Sequence, residues 1–496
     1  GEYAGKHYIS LFAGQEIQER TAYNSFNYSP VFDEEHRIVG FPEMDDIDGS
    51  EINYSALGGT GKSVSKMSSF FANASYSYLD KYILTGALRY DGSDIIGNDN
   101  QFTPLWNVGL RWNLHREEFM KRWMWVDQFA VRGGFGYTGS IDKNALPFVV
   151  MTLGQSVIYD GQTVPTSFSY PNPNVKWQTK QDMNVGLDLS LFDYRLELGV
   201  NYYNNITRDV LDRKALPYSS GRSEVTENVA DIYNSGWEID LGVTLLKNKS
   251  FQWYAKANIA INDNKVKNTY YKDTKDLPKA TLSNAHQFVE NQPVNGWYGY
   301  KFAGINPING AVMTYTGNGE ATLDMSVSGA TWPTPSVFCL GNLTPPVVGG
   351  FSTSANWKQL IFSANFEFKT GHKIKSFNTF RSLDARNRHT SEANRWREPG
   401  DITNVPAMSE AFTTYSSYMY DILLEKGNYL RCSYMTLGYN LKPEWLHKIG
   451  FSTARLSFTA KNLFTISSYS GIDPALMGSF GYPNSRKYTI TLNVGF

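Results

Sequence analysis

Long apolar runs are missing from this sequence: no stretch of about eighteen or more apolar residues occurs, so no transmembrane helix is encoded. A chain that crosses a bilayer without one must do so as a closed β-barrel. Cysteine is almost absent. Cys339 and Cys432 lie far apart and give neither a disulfide framework nor a metal-ligand spacing. Net charge is also nearly absent, with 46 Lys+Arg against 47 Asp+Glu, so no overall field favours nucleic acid. The seven histidines are scattered, without a His-Glu-x-x-His or Cys/His cluster, which speaks against zinc. No nucleophile with a base, and no pair of acids, converges in the sequence, so neither an enzyme nor a cofactor is expected. The first residues carry no initiator Met, no charged n-region and no apolar h-region, and the chain reads as a mature fragment.

Aromatic residues are abundant: 32 Tyr, 29 Phe and 12 Trp in a chain that is polar on average. That combination suits strands with one apolar and one wet face. Strict period-2 alternation recurs along the chain. Tyr82, Leu84, Leu88 and Tyr90 form one outward set; Tyr194, Leu196, Leu198, Val200 and Tyr202 form another, interleaved with Arg195, Glu197, Gly199 and Asn201. Trp237, Ile239, Leu241, Val243 and Leu245 alternate with Glu238, Asp240, Gly242 and Thr244, and Phe362, Ala364, Phe366 and Phe368 repeat the pattern. A one-residue slip would turn the charges toward lipid, so each strand specifies its own orientation.

About fourteen such segments are present, each long enough for the roughly 9 to 11 residues of a tilted membrane strand. They start near Lys6, Met67, Lys81, Phe102, Trp125, Trp177, Tyr194, Ala230, Phe251, Val347, Leu360, Asn428, Thr453 and Arg486. Tight turns are expected at Leu79-Asp80-Lys81, Phe192-Asp193 and Lys247-Asn248-Lys249, and long connections at 21–66, 139–176, 266–346 and 371–426. Short turns on one side and long loops on the other mark an outer-membrane barrel, and aromatics at strand ends suit its interfacial girdles better than the core of a soluble sandwich or propeller. Glu117, Glu118, Phe119, Lys121, Arg122, Trp123, Met124 and Trp125 read as one such interface anchor. The last segment, Lys487 to Phe496, alternates throughout, and its terminal Phe496 resembles the signal that barrel-assembly machinery reads.

Ala56-Leu57-Gly58-Gly59-Thr60-Gly61-Lys62-Ser63 misses a phosphate loop because Ala56 stands at the first glycine, and it is expected to be an exposed loop. Asp45, Asp46, Asp48 and Glu51 read as a solvated acidic run.

Several stretches, in order along nearly the whole chain, resemble the SusC/RagA branch of TonB-dependent outer-membrane transporters. They include Leu88-Arg89-Tyr90-Asp91-Gly92-Ser93, Val108-Gly109-Leu110-Arg111-Trp112, Gly136-Tyr137-Thr138-Gly139, Asn184-Val185-Gly186-Leu187-Asp188 and Asn234-Ser235-Gly236-Trp237-Glu238. Trp297-Tyr298-Gly299-Tyr300, Pro399-Gly400-Asp401, Tyr429-Leu430-Arg431 and Gly471-Ile472-Asp473-Pro474 follow.

The resemblance implies an all-β fold, a large antiparallel transmembrane barrel of about 22 strands with a plugged lumen. Residues 1–496 would be its carboxy-terminal part, with the plug domain and first strands outside this chain. It implies import of oligomeric nutrients, glycans or peptides, with a SusD-like surface lipoprotein as lid and energy from the TonB-ExbB-ExbD complex. Outer-membrane lipids would surround the wall. Passive porin-like conduction, or service as a subunit of another envelope complex, are the alternatives. The family's calcium-suited loop run is replaced here by Asn306-Pro307-Ile308-Asn309-Gly310, without the carboxylates a calcium site wants, so no metal is expected. Trp297, Tyr298, Tyr300, Trp332, Arg381 and Trp396 are the loop residues suited to ligand contact, because flat aromatic faces stack on sugars and Arg binds carboxylates in a fork. Packing of the loops upon themselves is the competing role for each.

Overall fold

A computed structural model describes residues 2–3, 5–27, 31–32, 38–40, 58–94, 96, 101–140, 151–159, 162–168, 176–215, 219, 224–274, 288–323, 336–375, 393–407, 420–446, 450–477 and 481–496. Fourteen long strands carry the architecture: β1 (His7–Asn27), β2 (Gly58–Tyr78), β3 (Tyr82–Ser93), β4 (Phe102–Asn113), β5 (Val126–Ser140), β6 (Gln178–Leu191), β7 (Leu196–Ala215), β8 (Glu224–Lys247), β9 (Phe251–Lys267), β10 (Val347–Trp357), β11 (Leu360–Thr370), β12 (Tyr429–Asn440), β13 (Thr453–Lys461) and β14 (Lys487–Gly495). Each pairs with the next in sequence. With Glu2–Tyr3 on β1 and Thr465–Ser467 on β12 they make one antiparallel sheet of 16 strands, an all-β meander matching the expected segments one for one.

The register shows why the alternation matters. Tyr76, Leu84 and Leu110 stand directly opposite one another on β2, β3 and β4. Val185, Tyr202, Trp237 and Ile261 do so across β6 to β9, and Phe458 faces Ile490 on β13 and β14. The apolar residues thus join into a belt on one face. The opposite face is polar: Asp188, Gly199, Asp240 and Asn258 form one row across β6 to β9. Leu84, Leu88, Leu110 and Ile490 are exposed on the belt, an arrangement that water penalises and hydrocarbon favours.

The tight turns have a local cause. Leu79 and Asp80 take φ of 54° and 52°, and Lys81 N donates to Tyr78 O at 2.9 Å. Two successive left-handed residues give the turn whose twist matches a hairpin. Phe192, Asp193 and Tyr194 are also left-handed. At 248–250 the side chain acts instead, Asn248 Oδ1 accepting from the amides of Ser250 and Phe251.

The aromatic girdle lies at this tight-turn edge. Trp123 stacks on Trp125 at 6.0 Å and Trp125 on Phe192 at 5.8 Å, with Met124 exposed beside them. Glu117 ties the girdle together, accepting from Tyr82 Oη at 2.7 Å, Lys81 Nζ at 3.1 Å and Trp112 Nε1 at 3.2 Å. Those donors, Tyr82 first and Lys81 next, hold its carboxyl below the usual range. Phe496 stays 92% exposed and meets the Phe451 ring edge-on at 5.2 Å.

Some boundaries differ from expectation. β1 runs on to Asn27 and β2 begins at Gly58, the two paired to their ends, so the connection expected at 21–66 shrinks to 28–57. Ala56 to Ser63, expected as an exposed loop, is strand from Gly58 onward; Ala56, Leu57 and the acidic run Asp45 to Glu51 lie outside the described residues. β8 likewise starts at Glu224 rather than near Ala230. Once a strand leaves the bilayer both of its faces are wet, and the backbone ladder persists without alternation. The connection at 139–176 holds a hairpin of Met151–Tyr159 with Gln162–Phe168. Cys339 and Cys432 are both free.

Candidate functional site: the loop crown and the polar wall

The connections after β9 and β11 fold together on the edge opposite the girdle. Gly296–Gly299 pairs with Phe338–Asn342; Phe302–Ile305, Val312–Tyr315 and Ala321–Leu323 make a small sheet; Lys373–Lys375 pairs with Leu424–Lys426. Tyr271, Val289, Tyr298, Tyr300, Val312 and Tyr420 build a hydrophobic core among them. Its apolar residues point inward, as in a water-soluble domain.

This core engages the expected ligand residues directly. Tyr300 is 1% exposed, its ring 6.0 Å from that of Tyr420, and its carbonyl accepts from Asp421 N at 3.1 Å. Tyr298 is 4% exposed; burial raises its phenol pKa, and its hydroxyl has no hydrogen-bond partner among the described residues. Both rings are thereby packed into the loops. Trp297 is half-buried and donates Nε1–H to Lys373 O at 2.9 Å. Trp396, also half-buried, donates Nε1–H to Pro307 O at 3.1 Å and lies over Gly310, where a Cβ would meet its ring at 2.5 Å. Gly310 has φ of +70°, so both conformation and space require glycine there. Asn306 and Asn309 spend their side-chain oxygens on Ile308 N and Ala311 N. Trp332 and Arg381 lie outside the described residues.

Three charged clusters on the polar face escaped a reading based on aromatics. Arg89 binds Asp91 at 2.5 Å, Glu16 at 3.1 Å and Ser69 Oγ at 2.8 Å. Arg111 donates to Asp188 Oδ2 at 2.9 Å, while Arg132 Nε lies 3.5 Å from Oδ1 of the same carboxylate. Nearest the crown, buried Arg431 donates to buried Asp473 at 2.5 Å and to Thr465 Oγ1 at 3.1 Å, with Glu367 at 3.8 Å and the Tyr429 ring beneath it. Asp473 also accepts from Ala475 N at 2.9 Å, capping a short helical turn and fixing that loop to the wall. The motifs around residues 88–93, 108–112, 184–188, 429–431 and 471–474 were the available signal; what joins them is pairing between distant strands.

The comparisons agree with this geometry. The family model described as TonB dependent receptor-like, beta-barrel matches residues 3–367. TonB-dependent receptor P3 of Formosa agariphila is 29% identical over 86% of this chain and 45% of its own length. TonB-dependent receptor SusC of Bacteroides thetaiotaomicron is 23% identical over 86% of this chain and 43% of its own. The solved RagAB peptide transporter superposes with a TM-score of 0.79 at 24% identity, covering 100% of this chain and 54% of the other, a likeness of fold. The chain thus spans about half the length of the relatives it matches. It belongs to the TonB-dependent receptor-like β-barrel family and forms the wall of an outer-membrane barrel.

Proposed function

We propose that the chain is the barrel portion of an importer that takes oligomeric nutrients across the outer membrane, with a SusD-like lipoprotein as lid and TonB-ExbB-ExbD as energy source through a plug domain outside residues 1–496. The family match along residues 3–367 carries this reading. The polar wall offers a hydrated path, and the packed crown offers a firm rim on which a lid can seat. Trp297 and Trp396, whose rings keep part of their surface open, are the proposed crown contacts to ligand, with Trp332 and Arg381 from the same loops. The described likeness to a peptide transporter makes oligopeptides the first substrate class to test and glycans the second.

Native purification of the full-length protein in mild detergent is expected to recover a lipoprotein partner, and the pair to bind oligopeptides by calorimetry. Absence of the partner under conditions that preserve related complexes would overturn the lid. The reading assigns no catalysis to the chain; hydrolysis of candidate peptides or glycans by the purified protein would contradict it.

A further inference from the structure

Two arginines share one acid on the lumen wall. Arg111 on β4 and Arg132 on β5 stand directly opposite each other, a like-charge pairing that an antiparallel sheet disfavours. The single carboxylate of Asp188 serves both, at 2.9 and 3.5 Å. Arg111 spends its Nε on Asn113 Oδ1 at 2.9 Å. The Nη atoms of Arg132 have no hydrogen-bond partner among the described residues. Gly186 is opposite Arg132, and a Cβ there would come within 2.8 Å of its Nε, so the guanidinium lies flat over bare backbone. The side chains remain 32% and 41% exposed.

Neighbouring acids on the same face are already engaged. Asp182 is held by Lys180 at 2.5 Å and Thr138 Oγ1 at 3.2 Å, and Glu197 shares the space over Gly242 with the Tyr254 hydroxyl. Around Arg89 the ratio is the reverse, one arginine against Glu16 and Asp91. The excess of positive charge thus sets the β4–β6 patch apart from the Arg89 cluster.

From this we propose that Arg111 and Arg132 form a carboxylate-binding site on the lumen wall. Its planar donors suit a carboxylate in a fork, the geometry in which guanidinium binding is strongest. Asp188 lies three residues before the end of β6, so the site is about 10 Å from the tight-turn rim at ~3.3 Å per residue and far from the crown. The carboxylate is an acidic side chain of polypeptide standing in the lumen, or that of a solute crossing it; the donor chemistry is the same. The site stands whether or not the protein is an importer.

Phenylglyoxal labelling of guanidiniums in the detergent-purified full-length protein, read by peptide mass mapping against exposed Arg122, tests it. An acid carried by the polypeptide is expected to slow labelling of Arg111 and Arg132 at least ten-fold in the protein alone. An acid arriving with solute is expected to slow it only on addition of tetraglutamate. Equal rates with and without tetraglutamate, matching Arg122, overturn the site. To separate a carboxylate from simple burial, Arg132→Lys places an amine there for carbodiimide coupling. An amide to an acidic residue other than Asp188, or to tetraglutamate, is expected; a folded variant that yields neither overturns the proposal even if the arginines are protected.

Discussion

The wall and the crown use the same aromatic residues in opposite ways. On the wall, Tyr82, Trp106, Trp112 and Phe458 face outward into the belt. In the crown, Tyr298, Tyr300 and Tyr420 face inward and are nearly inaccessible. The difference lies in the solvent: hydrocarbon accepts an apolar exterior and leaves the polar face for the lumen, whereas water around the crown drives its rings together. A Tyr or Trp therefore reports burial only once its surroundings are known.

The sharpest way to break this contrast is truncation in the crown. Tyr300→Ala should cost about 3–5 kcal/mol, as for large buried rings, and should loosen the crown alone. Limited proteolysis would then nick the loops while the heat-modifiable gel shift of the folded barrel persists; loss of that shift as well would show the two regions to be one cooperative unit. Leu88→Arg, on the belt opposite Trp106, should cost about 2–4 kcal/mol in refolding into lipid vesicles. The same variant measured in a water-exposed setting would be near neutral if the belt truly faces lipid.

Acid should act on the crown before the girdle. Burial first, and Lys369 next, keep His372 below its ordinary value of 6.5. Its neutral form is the one that fits, so crown stability is full above the ordinary value and declines as pH falls through it toward the lowered one. Protease sensitivity of the loops should accordingly rise in mildly acidic buffer, and His372→Gln should flatten that response. Glu117 has a lowered pKa, so its contribution is present above the ordinary carboxylate value and is lost as pH falls through the lowered one. Thermal melts of Glu117→Gln and the parent should converge at low pH, with the smallest difference of the set.

How much could be read beforehand follows from the same contrast. In the wall, alternation located all fourteen strands and the turn at Leu79-Asp80, because one-sided burial writes a period of two into the sequence. It failed at Gly58 and Glu224, where the strands leave the bilayer and nothing enforces the period. Trp297, Tyr298, Tyr300 and Trp396 were recognisable as loop aromatics, but their partners Lys373, Tyr420 and Pro307 lie roughly 76 to 120 positions away, and sequence spacing carries no record of such contacts.

The sequence by itself determined an all-β membrane wall, its inner and outer faces, and the side on which its loops lie, since each depends on local periodicity and composition. Only tertiary structure decided that the two longest loops share a core, that Arg431 meets Asp473, and that Arg111 and Arg132 share Asp188. Those contacts arise from which strands become neighbours and in what register, and the wall that fixes them forms from many strands at once.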